Sequence, residues 1–229
     1  MVKSDSASIM VMPKDEQAFL AAMAVLDSYT VPGDVIYDGV DQKFMFLIEG
    51  KQILTDDLRD TLLSPSYVRR LARYFEFDTD KAYSIARNIN MHMVDAFGVM
   101  LGITPRSHFP DLSKALRYET SDHEWLVVLD TEFIPEEAIP LLEQKTKSIR
   151  LLYKEKDLKR IFSEVVKSHW VLGPSSFATY VGVAVGKRVI EIYPTGPYHR
   201  DWLSKFGKGY CRMVPQGNSD MLLRILSRL

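Results

Sequence analysis

The chain has 229 residues, 46% of them hydrophobic, which is enough apolar side chain for one large domain or two small ones of roughly 100 residues each. Its 29 Lys and Arg against 30 Asp and Glu leave a net charge of -1, so no global field gathers nucleic acid or acidic membrane, and such binding needs a local patch. The single cysteine, Cys211, excludes an internal disulfide framework and a Cys-rich zinc site, and with no long apolar run or cleavable leader a soluble cytoplasmic protein is expected.

"SIMVM" (Ser8 to Met12) reads as a buried strand, and "DEQAFLAAMAVLDSY" after Pro13 as a helix whose first-turn acids suit the positive end of its dipole. "DVIYDG" and "KFMFLIEG" read as short strands bounded by Gly. "SPSYVRRLARYFEF" reads as a helix with Ser64 or Ser66 near its start, placing Arg69, Arg70 and Arg73 on one side. "DTDKAYSIARNINMHMVDAFGVMLGI" contains a long helix with Ile89, Met93, Phe97 and Met100 in one stripe and Gly102 at its end. Two prolines and a polar tail in "TPRSHFPDLSKALRYETSDH" mark a junction, giving a reduced domain over 1–104, a linker over 105–123 and a second domain over 124–229.

Beyond the junction the pattern is regular. "EWLVVLD", "SIRLLYK", "HWVLGP" and "RVIEIYP" read as strands, with "YCRMVP" strand-like. "PEEAIPLLEQKT", "KDLKRIFSEVVKS", "SFATYVGVAVG", a short "RDWLSKFG" and "NSDMLLRILSRL" read as helices, the last capped by Asn218 or Ser219. Alternating helices and continuously apolar strands imply an α/β fold with a parallel sheet covered on both faces. Right-handed crossovers then gather the carboxyl ends of the strands on one rim.

That placement gives the turn "GPSS" (Gly173 to Ser176) two readings. It sits at the end of a strand and the start of a helix, where unpaired amides, the helix dipole and two hydroxyls suit a phosphate or a sugar hydroxyl. Alternatively, Ser175 or Ser176 simply caps the helix. Thr195 and Gly196, in "YPTGPYHRDW", follow the next strand on the same rim, and His199 has no partner in view as a base.

The ordered run "GPSSFATYVGVAVGKRVIEIYPTGP" resembles the C-terminal half of GT-B-type glycosyltransferases, in particular the lipopolysaccharide heptosyltransferase family. In that family a strand enters an Asp/Ser-Thr/Ser-Gly turn, followed by a small-residue helix carrying a His and ending in Leu-Gly, an apolar strand and a Gly-Pro-Thr-type loop. Here Ser175 and Ser176 take the first two positions, Phe177 the Gly position and Tyr180 the His position. A second, weaker similarity lies in "NMHMVDAFGVMLGI". The family's Gly-rich N-terminal turn is replaced by "MPKDEQ", and its phosphate loop by "LDTEFIPEE", with Asp130 and Glu132.

The resemblance implies two Rossmann-like lobes in a GT-B-like arrangement. It further implies transfer of a sugar from a nucleoside diphosphate sugar to a hydroxyl acceptor, a glycan or a modified DNA base, with no metal and no cofactor beyond that co-substrate. Asp15, with Glu16 behind it, becomes the general base, unless these acids only favour the helix start. Gly173, Ser175, Ser176, Tyr180, Thr195 and Gly196 become the nucleotide-sugar contacts, and Lys154 a source of positive charge. Two alternatives stand beside this reading: a noncatalytic GT-B-like binding or scaffolding protein, and a different nucleotide-dependent enzyme on a flavodoxin-like domain.

Overall fold

The computed structural model describes residues 7–30, 33–63, 71–89, 91–116, 126–129, 134–145, 148–152, 154–193 and 211–228. The chain divides into two units, Met1–Pro110 and Asp111–Leu229. Thr195, Gly196, Asp130, Glu132, His199, Arg69, Arg70 and the short helix expected over "RDWLSKFG" lie outside the described residues.

The first unit runs β1 (Ala7–Val11), α1 (Glu16–Leu26), β2 (Asp34–Asp38), a 3-10 helix (Gln42–Leu47), β3 (Gln52–Ile53), α2 (Asp56–Leu63), β4 (Leu71–Glu76), α3 (Thr79–Ile89) and α4 (Met93–Leu101). Its parallel strands lie in the order β3-β2-β1-β4. Central β1 is apolar at almost every position because both faces of the sheet are covered. Helix α1 is buried from Ala18 to Leu26, packs against α4, and stacks Phe19 on Phe44 of the 3-10 helix with ring centroids 4.0 Å apart.

Three expectations for this half are corrected. "KFMFLIEG" is not a strand: Asp41 Oδ1 accepts from the Lys43 amide at 3.1 Å, and Phe44 and Leu47 are buried three residues apart, the period of a 3-10 turn. From Leu71 the helix expected over "SPSYVRRLARYFEF" is instead strand β4, so Arg73 stands on a strand. Phe75 on the strand and Phe77 just beyond its end alternate with exposed neighbours, and their rings meet Tyr29 and Phe97 edge-on. The single long helix is two: His92 Nδ1 accepts from the Val94 amide at 3.2 Å as the cap of α4, and Ile89 is 61% exposed, outside the buried stripe of Met93 and Phe97. Gly102 does end α4, in the left-handed conformation with φ 66°. Helix α2, which the sequence reading passed over, follows β3.

The second unit runs α5 (Ser113–Leu116), β5 (Leu126–Leu129), α6 (Ala138–Lys145), β6 (Ser148–Leu151), α7 (Leu158–Lys167), β7 (Trp170–Gly173), α8 (Phe177–Ala184), β8 (Arg188–Tyr193), β9 (Cys211–Pro215) and α9 (Ser219–Ser227). All five strands are parallel in the order β6-β5-β7-β8-β9. Leu172, Ile190, Ile192 and Val214 pack on one face with Ala138 and Leu142 of α6 and Leu222, Ile225 and Leu226 of α9. On the other face Val171 and Val189 meet α8 at Gly182, where an added Cβ would lie 3.0 Å from a methyl of each valine. Helix α7 buries Leu158, Ile161, Phe162, Val165 and Val166, a helical stripe, and Asp157 caps it. Asn218 Oδ1 caps α9 by accepting from Met221 at 3.0 Å.

Each sheet therefore has a point at which the strand order reverses: between β1 and β4 in the first unit, and between β5 and β7 in the second. In open parallel sheets, crossovers leave such a point on opposite faces, so the carboxyl ends of the two strands part and open a crevice.

Candidate functional site

In the second unit, β7 delivers the turn Gly173 to Ser176 to the switch point, and α8 begins at its end. The turn is built by its own side chains. The Ser176 amide donates to Thr179 Oγ1 at 2.9 Å, the Thr179 amide lies 3.4 Å from Ser176 Oγ, and Thr179 Oγ1 donates to the Pro174 carbonyl at 2.8 Å. This is a capping box with Thr in the position usually held by Glu or Gln. Ser176 therefore has a structural task whatever else it does, and Thr179, wholly buried, is a residue the sequence reading missed. The spacing Ser-x-x-Thr was its signal.

Gly173 is buried at the end of β7, and Ser175 is half-buried in the turn. Tyr180, expected among the ligand contacts, is fully buried on α8, and desolvation pushes its phenol well above the usual range. Its ring is part of the core and presents no surface to a ligand. Lys154 is exposed just beyond the carboxyl end of β6. Two strand positions separate β6 from β7, about 10 Å at the usual strand spacing.

The second missed residue is Glu191. It stands in the middle of "RVIEIY" on β8, in register with Gly173 of β7, and is 0% exposed. Gly173, its register partner on β7, contributes no side chain between the carboxylate and the turn. Burial pushes the Glu191 carboxyl up to about 7, and the nearby Ser175 hydroxyl pulls the other way. Even so, neither carboxylate oxygen has a partner in good hydrogen-bond geometry among the described residues. An acid inside an apolar run of a central parallel strand is a visible signal, because both faces of such a strand are covered.

In the first unit, the β1–α1 turn lies at the other switch point. Asp15 is the cap of α1, its Oδ1 accepting from the Ala18 amide at 2.8 Å, and the residue is exposed. Tyr83 of α3 lies close enough to feel it: its phenol is pushed up to about 12 by burial and by the Asp15 carboxylate. Glu16 is paired with Lys43 Nζ at 3.2 Å. Asp95, one helical turn from His92, pairs with His108, whose Nε2 lies 2.9 Å from Asp95 Oδ1. The His108 ring in turn lies against that of His92, with centroids 4.6 Å apart. The structure thus brings Gly173, Ser175 and Ser176 together with Glu191, and places Asp15 and Glu16 at the start of α1.

No protein-family model matches the sequence, and no curated protein matches it. Solved structures do resemble the fold. Escherichia coli heptosyltransferase WaaC with ADP aligns over 97% of this chain and 99% of that chain, with a TM-score of 0.61 and 11% identity. The iron-containing dodecameric glycosyltransferase TibC from enterotoxigenic E. coli aligns over 97% and 76%, with a TM-score of 0.57 and 12% identity. A family 9 glycosyl transferase from Veillonella parvula aligns over 97% and 90%, with a TM-score of 0.52 and 11% identity. These likenesses show the fold: the chain is an α/β protein with the fold of a heptosyltransferase-like glycosyltransferase, parallel sheets flanked by helices.

Proposed function

We propose that the protein is a glycosyltransferase that moves a sugar from a nucleoside diphosphate sugar to a hydroxyl acceptor. The observation that carries the reading is the β7–α8 turn. It combines a sheet switch point, the amino end of a helix and the hydroxyl of Ser175. The first amides of any helix have no intrahelical partner and carry the positive end of its dipole, which suits a diphosphate. WaaC, which shares the fold, was solved with ADP, so ADP is the first nucleotide to try.

In the proposed reaction the acceptor oxygen attacks the anomeric carbon, the bond from that carbon to the diphosphate oxygen breaks, and the nucleoside diphosphate leaves with the electron pair. The α8 amides and Ser175 stabilise the charge that builds on the leaving group, with Lys154 as a more distant positive charge. Asp15 receives the acceptor proton. Thr195 and Gly196 follow β8 in sequence and are assigned to the same ligand. Tyr180 is not assigned a contact, because it is buried.

A second reading, a noncatalytic binding protein with this fold, is favoured by the engagement of both candidate bases: Asp15 caps α1 and Glu16 pairs with Lys43. Calorimetry against UDP, ADP, GDP, CDP and TDP and their sugars tests the first reading, using the wild type and Ser175→Ala/Ser176→Ala. Binding of one nucleotide that weakens at least tenfold in the double variant, with slow hydrolysis of its sugar, supports the transferase. Binding without any turnover supports the second reading. No binding by a folded protein removes the donor site altogether.

A further inference from the structure

Glu191 has no structural task that the described residues explain. A strand buried on both faces selects apolar side chains, and its neighbours Val189, Ile190 and Ile192 are all buried and apolar. A leucine would fill the position without desolvating two oxygens. The carboxylate is instead wholly buried, with neither oxygen in good hydrogen-bond geometry among the described residues, at the level of Gly173 and beside Ser175, facing the turn assigned above to a diphosphate.

The two groups have conflicting charges. An ionised Glu191 would repel an anion held at the start of α8, whereas the neutral acid carries an O–H that can donate to a phosphate oxygen. We propose that Glu191 is a proton-coupled ligand of the β7–α8 turn: it meets a bound diphosphate as the neutral acid, so that binding takes up one proton at this carboxyl. The proposal rests on the reading of the turn as a diphosphate site and adds a regulation of that site, in which nucleotide affinity follows pH.

Among the described residues, no neighbouring charge shifts Glu191. Burial and Ser175 are the influences that shift it. On β7 the facing residue is Gly173. Helix α8 offers Thr179 and the buried Tyr180, whose phenol stays protonated. On β9, Met213 is in register with Glu191, with Arg212 beside Ile190 and Cys211 beside Val189. On β8 itself, Tyr193 lies two residues on, and Lys187, half-buried, precedes the strand four residues back.

ADP binding is measured by calorimetry from pH 6 to pH 8, in buffers of differing ionisation enthalpy, for the wild type, Glu191→Gln and Glu191→Met. The nucleotide's own titration is common to all three. With a free-state midpoint near 7, one-proton uptake weakens wild-type binding about tenfold more than that of Glu191→Gln over this range. The Gln amide keeps a donor and should bind throughout as the wild type does at pH 6, while Glu191→Met, which has none, should bind more weakly at pH 6. Equal pH dependence in the wild type and Glu191→Gln overturns the coupling and leaves the nucleotide site standing. No binding of ADP or inorganic pyrophosphate by any of the folded proteins at any pH overturns both.

Discussion

Replacing Glu191 with Gln keeps the side-chain shape and removes the titration. The folded protein holds the Glu191 proton up to about pH 7, whereas an unfolded chain releases it near 4.5. The folded-state value is raised, so the stabilising effect of the proton is full below pH 4.5, erodes as pH rises, and is gone once pH passes 7. At about 1.4 kcal/mol per pH unit, the window from 4.5 to 7 amounts to about 3 kcal/mol, a large share of the stability of an ordinary domain. Urea denaturation followed by tryptophan fluorescence reads this directly. Trp125, Trp170 and Trp202 are the chain's three tryptophans, and all lie in Asp111–Leu229, so the signal reports the second unit. The wild type should lose about 3 kcal/mol relative to Glu191→Gln between pH 4.5 and 7.5, with no further divergence above that. Parallel profiles, or a gap that widens toward acid, would refute burial as the cause of the shift.

Thr179→Val removes the hydroxyl that serves both the Ser176 amide and the Pro174 carbonyl; it should lower second-unit stability by about 1–3 kcal/mol in the same urea assay. Gly182→Ala pushes a Cβ to 3.0 Å from methyls of Val171 and Val189, an overpacking loss of about 1–3 kcal/mol if the valines shift. Gly98→Ala should be worse by thermal denaturation, because its Cβ would lie 2.5 Å from the Ile103 carbonyl oxygen, and backbone cannot turn aside as a side chain can. Asp15→Asn keeps a good cap for α1 while removing the carboxylate proposed as proton acceptor; on that proposal kcat for sugar transfer should fall at least a hundredfold with a shift in Tm of no more than a few degrees. A substantial kcat in Asp15→Asn would return Asp15 to capping alone.

The local pattern was enough wherever an element is covered evenly by its neighbours. The second unit was legible for that reason: "WVLG" and "RVIEIY" are nearly continuous apolar strands because both faces of their sheet are buried, and α7 carries its stripe of Leu158, Ile161, Phe162, Val165 and Val166 in plain view. Caps were legible too, since Asn218 and Ser176 act on amides three residues away. The first unit was harder because its edges are polar. Residues 71–76 form a strand because β1 offers them a partner, and "LARYFE" contains no signal for that partner. The apparent stripe from Ile89 to Met100 spans two helices, because the His92 side chain competes for the backbone as a cap.

The candidate site divides along the same line. The sequence by itself determined that a Ser-Ser turn joins a strand to a helix and that an acid begins α1, since both depend on neighbours within a few positions. Only the tertiary structure decided that both turns lie where the strand order reverses, that Tyr180 is core, and that Glu191 is buried in register with Gly173. Strand order and the dielectric around a carboxylate are set by residues distant in the chain, and a one-dimensional pattern does not contain the distances that set them.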